Sequence, residues 1–369
     1  MRILHFADLH MDAPFRSLGP QVGSTLRQGL KKTLERICDA AVEHGVDALT
    51  CGGDLYEDKF LTPDTVAFVQ RCFSRIAPIK VFLAPGNHDW LGPASLYNRA
   101  GFSPNVSVFS EARLEAVTLE EGLTLWGAAH QKPAGTQGFL SGFEGARAGR
   151  NLALFHGSEQ GDFSFQENGK EAHAPFRSAD VVRCGLDHAL VGHFHRPRYA
   201  EFYTYPGNPS SLSFGEDGQR GAVLIDVADD GSVERRHLEV GGLPFIDAKV
   251  DLTGASDFRE ILSRAEEALG GLEGLVRLDV SGELAAEVDF APSEIRALGS
   301  HMKGILAVVL RVDNVRPGYD LESAKDDRSV RGSFVRAVLA RGDLDELQRR
   351  RVLTIGLRAL DGHRDLEVP

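Results

Sequence analysis

Seven residues with metal-binding side chains stand where short apolar runs stop, most of them beside glycine. Asp8-x-His10 follows Ile3–Ala7, and Gly52-Gly53-Asp54 follows Ala48–Cys51. Gly86-Asn87-His88-Asp89 follows Lys80–Ala84, His156-Gly157 follows Leu152–Phe155, and Gly192-His193-Phe194-His195 follows Ala189–Val191. Open α/β sheets bind ligands outside the carboxyl ends of their strands, so these five groups can converge on one locus. Together they supply Asp8, His10, Asp54, Asn87, His156, His193 and His195, with His88 left over. Imidazole suits transition metals, and carboxylate or amide oxygen suits harder ions, so manganese, iron or zinc fits better than magnesium or calcium. The set is too large for one tetrahedral ion and right for two ions about 3.5–4 Å apart that share one carboxylate, as two-metal hydrolysis requires. A water shared by two such ions is acidic enough to supply a nucleophile near neutral pH. A leaving oxygen then needs a proton, which a histidine titrating near neutrality can give.

The elements that must position these residues are legible in the same stretch. Leu26, Leu30, Leu34, Ile37 and Ala41 step by three and four along one helix face that Gly45 closes. Thr62-Pro63 reads as an N-cap with proline at the first helical position, opening a helix to about Ile76. After this βαβαβ start come short β runs near Val106–Phe109, Leu114–Leu119, Leu123–Ala128, Leu152–Phe155, Ala189–Val191, Arg198–Tyr205, Ala222–Val227 and Val233–Val240. The pattern predicts a two-sheet α/β sandwich over residues 1–240. Gly241-Gly242-Leu243-Pro244 reads as a boundary. Strands Phe245–Leu252, Val276–Val280 and Ile305–Val312 with helices Ser256–Leu269 and Pro292–Leu298 make a small α+β module over 243–316. Arg316-Pro317-Gly318 reads as a second boundary, before a helical segment, 317–369, with two amphipathic helices over 329–360 broken at Gly342-Asp343.

Composition narrows the classes. The 369 residues are 42 % hydrophobic and 25 % charged, near the globular average, which excludes a disordered chain or a coiled-coil rod. No run approaches the roughly 18 apolar residues of a membrane span, and the N-terminus has no signal-peptide pattern, so a cytoplasmic protein is expected. Four dispersed cysteines, Cys38, Cys51, Cys72 and Cys184, form no CxxC pair and read as reduced, buried thiols. The net charge of −12 argues against nucleic-acid binding by phosphate neutralisation alone. Contact with DNA must then be local, metal-assisted or completed by a partner.

The ordered set DxH, GGD, GNHD, HG, GHxH resembles the five motifs of the calcineurin-like metallophosphoesterase superfamily. That resemblance implies an αββα sandwich. It also implies one ion on Asp8, His10 and His195, a second on Asn87, His156 and His193, Asp54 between them, and His88 as the catalytic non-ligand. Gly53-Asp54-Leu55-Tyr56-Glu57-Asp58 departs from the phosphoprotein phosphatase pattern. The opening Ile3-Leu4-His5-Phe6-Ala7-Asp8-Leu9-His10 is similar to DNA repair exonucleases of the SbcD type. So are Gly192-His193-Phe194-His195-Arg196-Pro197, Tyr205-Pro206-Gly207-Asn208-Pro209 and Phe214-Gly215-Glu216. Residues 5–15 look most like the YhaO-like subgroup. The resemblance implies a dinuclear, manganese-dependent DNA nuclease, 3′–5′ exonuclease and/or endonuclease. Its SMC-like ATPase partner, SbcC-type or YhaN-type, would dock on the C-terminal helices, and a homodimer is also implied. The α+β module would shape DNA access. A phosphodiesterase or phosphatase acting on nucleotides or other small phosphoesters is the alternative, favoured by the acidic charge. A scaffold that keeps the metal site for architecture is a third reading, which the intact His88 and ligand set oppose.

Two departures stand out. Glu57 occupies a position where the archaeal and eukaryotic nucleases carry histidine and phosphatases an acid, and it is expected to orient His88 and raise its pKa. Asn208 stands where the family has serine and reads as a turn variant. Arg196 and Arg198 are expected phosphate contacts, and Trp90 and Tyr97 candidates to stack on a base. Asp12 and Phe15 are candidate substrate contacts. His5 and His188 read as packing residues, and His130, His173, His237, His301 and His363 have no partner motif.

Overall fold

The computed structural model describes residues 1–145, 148–161, 172–285, 288, 290–318 and 321–362. They form two compact units, Met1–Pro244 and Phe245–Pro369.

The first unit starts with β1 (Arg2–Phe6), α1 (Pro20–Glu43), β2 (Ala48–Cys51), α2 (Pro63–Arg75) and β3 (Lys80–Leu83). Next are α3 (Leu96–Arg99), β4 (Val106–Val108), β5 (Glu115–Glu120), β6 (Leu123–Gly127) and β7 (Arg150–His156). It ends with α4 (Ser178–Arg183), β8 (His188–Gly192), β9 (Arg198–Tyr199), β10 (Tyr203–Tyr205), β11 (Gly221–Val227) and β12 (Val233–Glu239). One sheet has the order β12-β11-β1-β2-β3-β4 and the other β5-β6-β7-β8-β10-β9. β1 to β4 run parallel, as do β6, β7, β8 and β10, so their carboxyl ends share one edge in each sheet.

Alternation along the strands builds three apolar layers. Leu4 and Phe6 face α1 and α2, where Leu30, Leu34, Ile37, Val69 and Phe73 cover them. Ile3 faces the opposite way and joins Leu125, Leu152, Leu154 and Leu190 between the sheets. Ala153, Phe155 and Ala189 face outward from the second sheet and pack with Val181 of α4. The result is a helix–sheet–sheet–helix sandwich, the fold class read from the sequence. Strands buried on both faces read as continuous apolar runs, which is why β2 and β8 were visible. His5 is fully buried, with Nδ1 3.0 Å from Thr50 Oγ1, and His188 Nε2 lies 2.8 Å from Thr204 Oγ1, so both are packing residues. All four cysteines are buried and free.

Several elements differ from the reading. α1 starts at Pro20, before its first buried leucine, because Pro20 supplies the preset φ of a first helical position. The run Arg198–Tyr205 divides into β9 and β10, an antiparallel pair closed by Thr204↔Tyr199. α3 and α4 carry too few residues, four and six, to show a helical period in the sequence.

In the second unit β13 (Phe245–Asp251), β14 (Gly274–Ala285) and β15 (Ile305–Gly318) form a parallel sheet in that order, with α5 (Phe258–Leu269) and α6 (Pro292–Leu298). Arg316-Pro317-Gly318 is no boundary: it ends β15, with Leu284 opposite Pro317. β15 is an edge strand, where a residue without an N–H is tolerated. α7 (Leu321–Asp326), α8 (Val330–Leu339) and α9 (Glu346–Leu360) follow. Ala324, Val335, Val338, Leu353 and Leu357 bury one another, so these helices share a core of their own. The Phe334 ring lies on Gly356, where a Cβ would fall 2.0 Å from Cζ. No helix among the described residues is long and apolar enough to cross a membrane. His363 lies outside the described residues.

Candidate metal centre

The loops after β1, β2, β3, β7 and β8 meet at one edge of the sandwich and bring all seven candidate ligands together. Glycine makes the meeting possible. A Cβ on Gly52 would lie 2.8 Å from Gly192 N, and one on Gly192 would lie 2.3 Å from Gly52 O, so the two sheets touch backbone to backbone there. A Cβ on Gly53 would collide with His156 Nδ1 at 2.7 Å. Asp8, His10, Asp54 and His193 have φ of 57°, 49°, 53° and 123°, a left-handed region that side-chain-bearing residues rarely occupy. Tertiary bonds hold them: Asp8 N donates to Gly53 O at 2.9 Å, and His10 N to Asp54 O at 2.9 Å. His193 N sits 3.0 Å from both Asp8 carboxylate oxygens.

Asp89 ties two of the loops together. One carboxylate oxygen accepts from Gly86 N at 2.6 Å and Asp54 N at 3.1 Å, the other from Leu55 N at 2.8 Å and the Tyr97 hydroxyl at 2.5 Å. Burial and the neighbouring Asp54 charge push its pKa up to about 6, which leaves it ionised at neutral pH. This role was missed in the sequence, where Asp89 was only the last letter of a motif.

Ring orientation decides what the histidines can do. His10 Nδ1 lies 2.7 Å from Glu57 Oε1, and His195 Nδ1 lies 2.7 Å from Glu216 Oε1. His156 Nδ1 lies 2.9 Å from the carbonyl of Gly52. Each Nδ1–H is thereby committed to an acceptor, and each Nε2 is turned inward with its lone pair, the arrangement in which a metal-ligating histidine is oriented. His10 Nε2 and His195 Nε2 face each other at 3.3 Å, with Asp54 Oδ2 3.7 Å from the former. His156 Nε2 lies 3.0 Å from Asn87 Oδ1, 3.3 Å from His193 Nδ1 and 3.3 Å from Asp54 Oδ2. Lone pairs this close repel unless a cation lies among them.

Ligand atoms of Asp8, His10 and His195 all fall within 4.8 Å of one another, and those of Asp8, Asp54 and His156 do likewise. His10, Glu57 and His88 also cluster, but through Nδ1–H groups that already donate to Glu57, so this trio presents protons rather than lone pairs. Without an ion, protons balance the charge. Burial lowers the proton affinity of His156, yet Asp54, Asp8 and the Gly52 carbonyl together outweigh burial and hold its pKa at about 9. Burial and the His156 charge keep His193 well below the usual imidazole range, hence neutral. A divalent cation would displace the His156 proton.

His88 stands apart from the ligand atoms. Its side chain is 45 % exposed, it lines the cavity, and its Nδ1 lies 3.1 Å from Glu57 Oε2. That hydrogen bond raises its pKa to about 9. Burial would raise the Glu57 carboxyl, but the two histidines outweigh it and hold it at about 2. The sequence did not show that Glu57 also holds His10.

The cavity over this locus measures about 740 Å³. Arg196 lines it, 69 % exposed and only loosely paired with Asp217 at 3.8 Å. Its lining among the described residues includes neither Trp90 nor Arg198. The Trp90 indole folds over Gly92, where a Cβ would meet it at 2.4 Å, and the Arg198 guanidinium lies 5.6 Å from the centre of the Tyr203 ring. Tyr97 is buried on Asp89 and cannot stack on a base. Asp12 accepts from Thr62 N at 3.3 Å, Phe15 packs against the α1–α2 core, and neither reaches the cavity. His130 Nε2 lies 2.8 Å from the carbonyl of His156 and backs the site, whereas His173 lines the cavity, its ring 5.5 Å from that of His193. Only their residue type could have flagged them.

Residues 1–197 match the model of the calcineurin-like phosphoesterase family. The uncharacterized metallophosphoesterase YhaO of Bacillus subtilis is 28 % identical over 287 residues, 74 % of this chain and 68 % of its own length. The DNA double-strand break repair protein Mre11 of Methanosarcina mazei is 28 % identical over 381 residues. That match takes in 95 % of this chain but only 57 % of the archaeal protein. UDP-2,3-diacylglucosamine hydrolase of Xanthomonas campestris is 28 % identical over 257 residues, 64 % of this chain and 99 % of the hydrolase. The matched span runs from the first strand through His195 and so contains every strand-end motif, and the chain belongs to the calcineurin-like phosphoesterase family of metal-dependent hydrolases.

Proposed function

We propose that the chain is a two-metal phosphodiesterase whose substrate is DNA. The observation that carries the metal assignment is the pair of inward-facing lone-pair sets on either side of Asp54. Asp8, His10 and His195 would hold one ion, Asn87, His156 and His193 the other, and Asp54 both. Two imidazole-rich half-sites with oxygen donors favour manganese, with iron or zinc as substitutes. When bound, the ions supply charge neutralisation and activation of water for attack on phosphorus.

The chain's own groups do the rest. Glu57 fixes His88 by Nδ1, which leaves Nε2 to meet the substrate and protonate the leaving oxygen. Arg196 offers an exposed guanidinium to a neighbouring phosphate. The SbcD-type, YhaO-like reading draws support from the opening strand, and action in DNA repair from the Mre11 relative, whose match takes in nearly the whole chain. The helices from Leu321 to Leu360 would dock an SMC-like ATPase, which would also supply the positive DNA track that a net charge of −12 lacks. That negative charge favours a second reading, a phosphodiesterase for small phosphoesters, and the hydrolase relative matched over 99 % of its length agrees with it.

End-labelled single- and double-stranded DNA with manganese, wild type beside His88→Ala, separates the two. Cleavage by wild type alone supports the nuclease. Hydrolysis of a small phosphodiester without DNA cleavage, in the presence of the ATPase, supports the second reading.

A further inference from the structure

We propose that Glu216 is the positioning residue of the His195 half of the site, and that Asn208 and Arg220 hold it in place. This rests on the two-metal reading. Glu216 comes from a loop 21 residues beyond His195, yet its Oε1 takes the Nδ1–H of that ring at 2.7 Å. Its Oε2 accepts from Asn208 Nδ2 at 2.7 Å and from Leu212 N at 2.7 Å. The Asn208 amide is fully buried, and its Oδ1 accepts from Arg220 Nη1. Arg220 Nη1 also donates to the carbonyl of His195, and Asn208 N donates to that same carbonyl at 3.1 Å. The network closes on itself: ring, carboxylate, carboxamide, guanidinium and backbone of the ligand residue.

Its geometry sets the tautomer. With Nδ1–H fixed on a carboxylate, the lone pair on Nε2 must point at His10 Nε2, 3.3 Å away. Asn208 is therefore more than a turn variant. Its amide offers an N–H to Glu216 and an oxygen to Arg220 from two separate atoms, a reach that the single hydroxyl oxygen of the shorter serine side chain lacks. The same loop lines the cavity at Ser213, Phe214 and Gly215, so the segment that shapes substrate entry also aims a ligand.

The test is manganese binding by the full chain, read by equilibrium dialysis with elemental analysis and by the spin-coupled EPR signal of a manganese pair. Wild type binds two ions and gives the coupled signal. Glu216→Ala keeps one ion and binds the second about 10- to 100-fold more weakly, the usual loss for an outer-shell partner, so a mononuclear signal replaces the coupled one. Asn208→Ala weakens the second ion by a smaller factor. The metal-free variants lose buried hydrogen bonds and unfold at a lower temperature than wild type, but they stay folded at the temperature of the dialysis, which separates positioning from folding. Should Glu216→Ala fail to fold, Glu216→Gln keeps the shape but sets an amino group against Asn208 or His195, and it too must weaken the second ion. Wild type that binds fewer than two ions overturns the two-metal reading. Wild type that binds two, beside Glu216 variants of unchanged affinity, overturns this inference alone.

Discussion

The two halves of the site are built differently. His10 and His195 are aimed by carboxylate side chains, Glu57 and Glu216, carried on loops. His156 is aimed by the backbone carbonyl of Gly52 and is completely buried, while His195 keeps 34 % of its side chain exposed. A carboxylate partner raises the basicity of its imidazole and can be removed by one substitution. A carbonyl at a strand end is fixed by the sheet and cannot be substituted. One half is thus set by side chains and the other by the fold.

The largest effect should come from Asp54, whose Oδ2 lies 3.7 Å from His10 Nε2 and 3.3 Å from His156 Nε2, between the two halves. Asp54→Asn is expected to lose manganese from both and to lower turnover by about 10³-fold or more, checked by metal analysis beside hydrolysis. A variant that kept one ion would show that the halves assemble independently. His88→Ala should leave both halves loaded and lower kcat by roughly 10²- to 10⁴-fold, the share of a general acid, seen in single-turnover rates. Asp89→Asn tests the tie between the loops. Each oxygen of Asp89 takes two donors, so either amide orientation sets an amino group against N–H or O–H groups, and about 3 kcal/mol of stability should be lost in urea titration.

Protons sharpen the contrast further. His156 holds its proton to about pH 9 in the metal-free chain, so manganese uptake at pH 7 should release it, and affinity should fall as pH drops. Calorimetry in buffers of different ionisation heat reads that release. The smallest effect in the metal-free chain is expected of Glu57→Gln, which in the loaded chain should also weaken the ion on His10, whose Nδ1–H Glu57 takes. In the metal-free chain His88 should titrate near 9, and the variant should bring it toward 6.5, followed by NMR of the imidazole. The sign follows from linkage: a raised histidine pKa contributes stability that is complete below about 6.5 and lost as pH rises through 9. Glu57→Gln should flatten that slope.

Much of the site was legible because the chemistry dictates residue types and the parallel sheets dictate their place at strand ends. The inward lone pairs could be guessed from Asp8, His10, Asp54, Asn87, His156, His193 and His195. What orients them could not. Glu216 reaches His195 across a loop with no periodicity, and Gly52 contributes only a carbonyl, which no side-chain pattern records. Arg198 and Trp90 follow ligand motifs closely in sequence, but their side chains leave the cavity to lie on Tyr203 and Gly92. Adjacency in the chain says little about direction once a loop turns. At Pro317 the failure ran the other way, since a breaker residue sits near the end of an edge strand, where a residue without an N–H is tolerated.

The contact between Gly52 and Gly192 carries a final consequence. Each residue occupies the volume that a methyl group on the other would need. Adding one carbon at either position would wedge the sheets apart at the edge where ligands from both must come within reach of the same ions. A saturation mutagenesis map should therefore mark positions 52 and 192 as intolerant as Asp54 itself. Read without coordinates, such a map would enrol two residues with no side chain among the catalytic groups, when their contribution is the spacing between two sheets.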